Sequence, residues 1–221
     1  MSKIISLEKA AAKVESGSRV MIGGFLACGT PEKIVDKLID NGVEDLTIIA
    51  NDTSFPDRGL GKLVSNNCAK KVIASHIGTN PDTGKKMNDG SMEVELVPQG
   101  TLAERVRIGG AGLGGFLTPT GVGTVVEEGK EVIESNGEKY LLELPLKGDV
   151  ALVKAWKADK KGNLVYRKSA RNFNPLIAKA CDTVIVEVEE IVEVGELNPD
   201  YVMTSSIFVD YIVRGDNQNG C

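Results

Sequence analysis

The chain has 221 residues, 42% hydrophobic and 26% charged, which is enough for one ordinary domain with a sizeable core. Its net charge of -5 and its lack of long lysine or arginine runs argue against nucleic-acid binding by phosphate neutralisation. No apolar stretch approaches the roughly 18 residues that cross a bilayer, and the N-terminal segment lacks the features of a secretory signal. We therefore expect a cytoplasmic protein that binds neither nucleic acid nor membrane.

The first half of the chain alternates short apolar runs with amphipathic segments. This alternation predicts an α/β fold, with a largely parallel sheet and flanking helices. Thr30 is the predicted N-cap of one helix and Pro31 its first residue. The predicted helices are 7–15, 30–40, 59–67 and 100–110, and the predicted strands lie within 16–24, 46–51, 71–78 and 93–100.

The second half begins with a glycine-rich segment, 109–123, which predicts a long functional loop. A hairpin is predicted around Asn136-Gly137, within 131–144. Strands within 149–159, 162–167 and 183–192 and a helix at 174–182 follow. No low-complexity linker interrupts the chain, so we expect one domain over 1–221, with a core at 3–213 and a disordered tail at 214–221.

Two glycine clusters invite a nucleotide-binding interpretation. "GAGLGG" at 110–115 has the letters of a dinucleotide fingerprint, but it does not open a helix, so that interpretation is disfavoured. "GGFLACGTP" at 23–31 runs from a strand into a helix start, where backbone N–H groups favour an anion. A tight turn that only needs glycine's freedom explains this segment equally well. The residues alone leave the two explanations open.

The inventory of catalytic side chains is small. His76 is the only histidine, and a satisfied structural role is favoured for it. Cys28 lies near a helix start, which can lower a thiol pKa, but without a neighbouring base a small packed residue is favoured. Glu187, Glu189 and Glu190 are interpreted as a solvated strand edge rather than a catalytic pair. The four cysteines form no C-x-x-C pair, so no metal site is expected.

Several long segments together resemble one family. They are "GGFLACGTPEKIVDKL", "LTIIANDT", "VIASHIGTNPDTGKKM", "EVELVPQGTLAERVRIGGAGLGGFLTPTGVGT" and "LVKAWKADKKGNLVYRKSARNFNP". The chain resembles the α (A) subunit of family I coenzyme A transferases over residues 3 to 213, most closely the acetate and butyrate–acetoacetate enzymes. The resemblance implies the NagB/RpiA/CoA-transferase type of fold. It also implies that coenzyme A or acyl-CoA is a substrate, with no tightly bound cofactor.

The resemblance also implies site residues and a partner. The coenzyme A-binding residues would be Gly23, Gly24, Phe25, Leu26, Ala27, Cys28 and Gly29. The backbone amide of Gln99 would contribute to an oxyanion hole. The nucleophile would be a glutamate in a Ser-Glu-Asn-Gly motif of a β subunit, in an α2β2 heterotetramer. This chain's "ESNG", from Glu134 to Gly137, exchanges the first two letters and is explained by the hairpin, so Glu134 is not predicted to be catalytic.

Three alternatives stay open. Part of the resemblance fits succinyl-CoA:3-oxoacid transferases equally well, which would change the acyl specificity. The small catalytic inventory also suits a non-catalytic module that binds coenzyme A or a nucleotide. A dinucleotide oxidoreductase is the third alternative; it predicts spectral changes with a nicotinamide cofactor, and we expect none. The glycine-rich segment 109–123 is expected to line the active-site face between subunits.

Overall fold

The computed structural model describes residues 2–216. The helices are α1 (Leu7–Ala11), α2 (Glu32–Asp40), α3 (Gly61–Ser65), α4 (Pro81–Asp89), α5 (Gln99–Ala111) and α6 (Asn174–Ile177). The strands are β1 (Arg19–Ile22), β2 (Leu46–Ile49), β3 (Ala69–Ala74), β4 (Glu93–Leu96), β5 (Phe116–Thr118), β6 (Val132–Ser135), β7 (Glu138–Glu143), β8 (Gly148–Asp159), β9 (Leu164–Val165), β10 (Cys181–Val192) and β11 (Tyr211–Arg214). Single 3₁₀ turns are formed by Val125–Glu127, Lys168–Arg171, Pro199–Tyr201 and Ser206–Phe208.

The main sheet has the strand order β11-β10-β8-β1-β2-β3-β4, and all of these neighbours are parallel. The short β9 adds an antiparallel pair at the far end of β8. Successive side chains of a strand point to opposite faces of the sheet. Both faces carry apolar side chains, and helices cover both. Val20 and Ile22 pack with α2 and α3 on one face, whereas Met21 packs with α5 and α6 on the other. The predicted α/β fold with a largely parallel sheet is confirmed.

The sequence did not predict one helix, α4. α4 buries only Thr83 of its nine residues, so its sequence lacks the apolar periodicity that marks a surface helix. Its ends are defined locally instead. The side chain of Asn80 accepts a hydrogen bond from the Asp82 N–H, Pro81 is the first helical residue, and Gly90 ends the helix with φ of 74°.

The prediction of one long loop at 109–123 is wrong. α5 continues to Ala111, and β5 lies within the segment. The glycines at the end of α5 allow neighbouring backbone to pack closely against the helix; they do not make the segment a loop. A Cβ on Gly109 would lie 2.1 Å from the Leu146 carbonyl oxygen, and one on Gly110 would lie 2.7 Å from the Lys179 carbonyl oxygen. Composition suggested a loop because glycine usually weakens helices, and tertiary packing overrides that preference here.

A second, three-stranded antiparallel sheet has the order β5-β7-β6. Its β6–β7 hairpin is confirmed, and Asn136 and Gly137 have the positive φ values of 54° and 77° that such a turn requires. Arg105 of α5 attaches this sheet to the main domain. Its Nε donates to the Leu144 carbonyl oxygen at 2.9 Å and lies 3.7 Å from the buried Glu143 carboxylate.

The C-terminal residues close the main sheet. Arg214 is the last residue of β11, and the Gly215 N–H donates to the Val188 carbonyl oxygen. Of the tail expected at 214–221, residues 217–221 lie outside the described part of the chain. Within residues 2–216, no helix combines the length and the apolar composition that a membrane crossing would need.

Candidate functional site

The predicted site residues meet at the carboxyl edge of the main sheet, where parallel α/β sheets bind their ligands. Gly23 follows β1, and Asn51 follows β2. Gln99 follows β4 as the first residue of α5. The Gln99 Nε2 donates to Asn51 Oδ1 at 2.7 Å, and the Asn51 Nδ2 donates to the Gly24 carbonyl oxygen at 2.8 Å. Asn51 therefore connects Gln99 with the glycine segment.

Residues 23–29 form a strained tight turn, which we call the glycine turn. Phe25 and Cys28 exchange two backbone hydrogen bonds, of 3.0 Å and 2.9 Å. Leu26 and Ala27 lie between them with positive φ values of 49° and 72°. Such conformations cost of order 1 kcal/mol each in non-glycine residues and persist only where the surroundings hold them.

Two asparagines from a distant part of the chain hold the glycine turn. The Gly24 N–H donates to Asn172 Oδ1 at 3.1 Å, and the Asn172 Nδ2 donates to the Cys28 carbonyl oxygen at 2.9 Å. The Asn174 Nδ2 donates to the Gly29 carbonyl oxygen, also at 2.9 Å. The sequence analysis did not identify either side chain as functional. The available signal was their place in "RNFNP", a segment that already contributed to the family resemblance.

Close packing explains the first glycine of the turn. A Cβ on Gly23 would lie 1.9 Å from Asn174 Oδ1, an oxygen that accepts the Lys154 N–H at 2.9 Å. Gly24 has a φ of 128°, and a Cβ added there would lie 2.2 Å from the Thr30 hydroxyl oxygen. Both positions therefore exclude any side chain for reasons that the tertiary structure sets.

A buried carboxylate ties the glycine turn to the following strand–turn–helix unit. Asp52 Oδ2 accepts the Leu26 N–H at 3.1 Å, and its Oδ1 accepts the Ser54 N–H at 2.7 Å. Burial raises the pKa of Asp52 above its ordinary value. The two N–H donors and the charge of His76 oppose that rise.

The second unit repeats the geometry of the first. Phe55 and Arg58 pair across a tight turn as Phe25 and Cys28 do, and Ser54 and Gly59 have positive φ values of 54° and 65°. We call residues 54–59 the second turn. The Gly59 N–H donates to Glu32 Oε1 at 2.7 Å, so the second turn is fixed to α2.

The start of α2 is already occupied by a side chain of this protein. Glu187 Oε2 accepts the N–H groups of Lys33 and Ile34, at 2.9 Å and 3.2 Å, and its Oε1 lies 3.0 Å from Lys154 Nζ. The helix begins at Glu32 and no side chain of its own caps it, so the prediction of Thr30 as N-cap is wrong. An anion does sit at this helix end, but it is the protein's own carboxylate.

The interpretation of Glu187, Glu189 and Glu190 as a solvated edge is also wrong for the first two residues. β10 lies between β8 and β11 rather than at an edge. Glu187 is 1% exposed, and the Glu189 side chain lies 3.7 Å from the Arg167 guanidinium. Only Glu190 has a largely exposed carboxylate, paired with Lys157 at 2.8 Å. The sequence shows only alternating glutamates, which suggested an exposed edge strand. It does not show that Glu187 pairs with Lys154, which lies on β8 and is distant in sequence.

The remaining candidate side chains differ from expectation in exposure. His76 is exposed at the carboxyl end of β3 rather than buried in the core. Cys28 is half-buried, with its Sγ 3.5 Å from Ser169 Oγ. Glu134 lies in β6 opposite Lys139, as the hairpin interpretation required.

Comparison with solved structures shows the class of fold. An acyl-CoA transferase from Escherichia coli O157:H7, solved as a thioester complex with CoA, superposes with a TM-score of 0.88 at 20% identity. The match covers 99% of this chain and 48% of that one, so this chain spans about half of its length. Glutaconate coenzyme A-transferase from Acidaminococcus fermentans gives a TM-score of 0.87 at 21% identity, covering 97% and 76% of the two chains.

Sequence comparison shows the family. The coenzyme A transferase family model matches residues 4–215, and the chain belongs to that family. It is 55% identical over 212 residues to the alpha subunit of the acetate CoA-transferase of Escherichia coli K12, with 96% of each chain covered. It is 53% identical over 213 residues to the alpha subunit of the acetoacetyl-CoA:acetate/butyrate CoA transferase of Clostridium acetobutylicum, covering 96% and 98%.

A third relative carries a different specificity in its name. The chain is 51% identical over 219 residues to one subunit of a probable succinyl-CoA:3-ketoacid coenzyme A transferase of Bacillus subtilis, with 99% and 92% of the chains covered. The predicted family and the predicted CoA-transferase activity are confirmed by these matches.

Proposed function

We propose that this chain is the α subunit of a cytoplasmic CoA-transferase that moves coenzyme A between short-chain acyl-CoA and free carboxylates such as acetate, butyrate and acetoacetate. Its partner would be a β subunit that carries the nucleophilic glutamate, in an α2β2 assembly. The names of the 55% and 53% identical relatives support this acyl range and the α role. The free thiols of Cys28, Cys68 and Cys181 suit a reducing compartment.

One observation carries the division of labour between the subunits. Two carboxylates at this end of the sheet, Asp52 and Glu187, are 2% and 1% exposed, and each already accepts two backbone N–H groups. Neither is free to attack a thioester. A nucleophilic glutamate from another chain fits this arrangement, since the site then supplies binding groups rather than the attacking atom.

In the proposed reaction, the partner's glutamate attacks the thioester carbonyl and releases the coenzyme A thiolate, which leaves an acyl-glutamyl anhydride. The thiolate then attacks the glutamyl carbonyl, giving a glutamyl-CoA thioester and the free acid. An incoming carboxylate reverses both steps and leaves as the new acyl-CoA. Every step passes through an oxyanion that needs hydrogen-bond donors.

The backbone N–H of Gln99 would stabilise that oxyanion. Gln99 is the first residue of α5, and the first N–H groups of a helix have no acceptor within the helix. The helix dipole adds a partial positive charge at the same place. Replacing Gln99 with proline removes the N–H at a position that tolerates proline, and we expect kcat to fall about 100-fold. Gln99→Ala keeps the N–H and is the matched control; an equal loss in both variants would contradict the backbone role.

The glycine turn would bind coenzyme A. Phe25 is 53% exposed at its tip, at the ligand-binding edge of the sheet. Gly24→Val would place a Cβ against the Thr30 hydroxyl in a backbone conformation that valine disfavours. We expect a raised KM for acyl-CoA in a complex that still assembles. An unchanged KM would make the segment a purely structural turn.

The whole proposal is tested by mixing the purified chain with acetyl-CoA and acetoacetate, with and without a candidate β subunit. Turnover is expected only in the mixture, and turnover by the chain alone would contradict the proposed division. Succinyl-CoA:3-oxoacid transfer is the second candidate, supported by the 51% identical relative. Comparing succinate with butyrate as acceptor separates the two.

A further inference from the structure

The backbone of the glycine turn has little capacity left for phosphate. Gly23 donates its N–H to the Leu152 carbonyl oxygen, and Phe25 and Cys28 donate to one another. The N–H groups of Gly24 and Leu26 are taken by Asn172 and Asp52. Glu187 occupies the first turn of α2. A phosphate at this edge of the sheet therefore needs side-chain cations, which bind phosphate oxygens through charge-assisted hydrogen bonds.

One set of cations lies directly beside the glycine turn. The sequence "RKSAR", Arg167 to Arg171, includes the 3₁₀ turn that precedes Asn172. This segment contacts the glycine turn twice: Ser169 Oγ lies 3.5 Å from Cys28 Sγ, and the Ala170 carbonyl oxygen would lie 2.5 Å from a Cβ on Gly29.

Two of the three cations in this segment are available. Lys168 and Arg171 are exposed, and neither forms an ion pair with another residue of the described chain. Arg167 is different, since its guanidinium faces Glu189 at 3.7 Å and the Trp156 ring at 5.4 Å. Lys168 also has a positive φ of 50°, a strained conformation of the kind that clusters at binding sites.

A further cation belongs to a second segment that approaches the glycine turn. Arg58 belongs to the second turn, and its guanidinium stacks over the Phe55 ring at 4.1 Å. Its neighbour Gly59 approaches Ala27 so closely that a Cβ there would lie 3.0 Å from the Ala27 Cβ. Lys168 and Arg171 thus belong to one segment that approaches the glycine turn, and Arg58 belongs to another. The exposed Asp57 is the acidic neighbour of Arg58 in the second turn.

We propose that Lys168, Arg171 and Arg58 bind the phosphate groups of acyl-CoA, while the glycine turn itself only shapes the surface beside them. This inference rests on the proposed function, because it requires acyl-CoA to bind at the glycine turn. It assigns the anionic part of the ligand to side chains that neither the family match nor the sequence motifs identify.

The experiment compares two acyl donors that carry the same thioester. Acyl-CoA also carries a pyrophosphate, adenosine and a 3′-phosphate, whereas acyl-pantetheine lacks all three. Steady-state kinetics of the assembled enzyme are measured with both substrates for Lys168→Gln, Arg171→Gln and Arg58→Gln, and for the Lys168→Gln, Arg171→Gln pair. Lys139→Gln, an exposed lysine on the β6–β7 hairpin, is the matched control.

We expect KM for acyl-CoA to rise about tenfold in the double variant, because two charge-assisted contacts to phosphate are lost. KM for acyl-pantetheine should stay within about twofold of wild type, and kcat should be preserved. An equal change with both substrates, or no change with either, would overturn the inference.

Protection of backbone amides separates this inference from the proposed function. Coenzyme A should slow hydrogen exchange within residues 23–29 of the wild-type complex. If it does so while the variants keep a wild-type KM, only the phosphate assignment fails. If coenzyme A leaves those amides unprotected, coenzyme A binding at the glycine turn fails as well.

Discussion

Replacing Glu187 is expected to destabilise the protein more than any exposed substitution. The Glu187 carboxylate pairs with Lys154 Nζ at 3.0 Å, and both side chains are almost fully buried. It also accepts the N–H groups of Lys33 and Ile34 at the start of α2. Glu187→Leu removes both functions at once, whereas Glu187→Gln keeps an oxygen for the N–H groups and removes only the charge.

The magnitude follows from the two losses. Removing one partner of a buried ion pair costs about 3–5 kcal/mol, because the remaining charge stays buried and unpaired. Leaving buried N–H donors without an acceptor costs about 1–3 kcal/mol more. We therefore expect about 3 kcal/mol for Glu187→Gln and about 5 kcal/mol for Glu187→Leu. At about 2–4 °C per kcal/mol for a chain of this size, Glu187→Leu should lower Tm by about 10–20 °C.

The assay is thermal unfolding of the purified chain followed by circular dichroism, at one fixed protein concentration. Lys154→Met combined with Glu187→Gln is the decisive variant, since it leaves no buried charge at the site. Its Tm should exceed that of Glu187→Gln alone. If Glu187→Gln lowers Tm by less than about 2 °C, or if adding Lys154→Met lowers it further, the reasoning about the ion pair is refuted.

Three further predictions concern the candidate site. Gly23→Ala should lower Tm and raise KM for acyl-CoA together, because the added Cβ displaces Asn174 from the turn; a normal KM at lowered Tm would contradict the link. Burial raises the folded-state pKa of Asp52 above its ordinary 3.8, so wild-type stability relative to Asp52→Asn should fall as pH rises from about 4 through the raised pKa; equal pH profiles in urea unfolding would contradict this. Burial also raises the pKa of Cys181 to about 12, so iodoacetamide at pH 8 should label the half-buried Cys28 and spare Cys181; peptide mapping checks this.

Local signals made much of the fold predictable. The alternation of apolar runs and amphipathic segments predicted the parallel sheet, and Asn136-Gly137 predicted the hairpin. α4 was missed because a nearly unburied helix carries no apolar periodicity. The segment 109–123 was misassigned because composition does not distinguish a glycine that loosens a chain from one that admits a neighbouring backbone.

The candidate site was predictable only in part. The strand-to-helix position of residues 23–29 and the resemblance pointed to Gln99 and the glycine turn, and the structure links them through Asn51. The sequence analysis did not identify Asn172 or Asp52 as groups that hold the turn. The interpretation of Glu187 as a solvated residue was wrong. The partner of a buried glutamate can lie on any strand of the sheet, and the sequence does not show which one.

The sequence by itself determined the β6–β7 turn, most of the strands of the main sheet and the family, because these depend on short-range patterns and long matching segments. Only the tertiary structure decided what holds the turn and what fills the end of α2. Asn172 lies 148 residues from Gly24, and Glu187 lies 154 residues from Lys33. Parallel pairing of β1 with β8 and of β8 with β10 brings these residues together. Those pairings satisfy backbone hydrogen bonds across the whole sheet, and no local pattern encodes which distant strand becomes the neighbour.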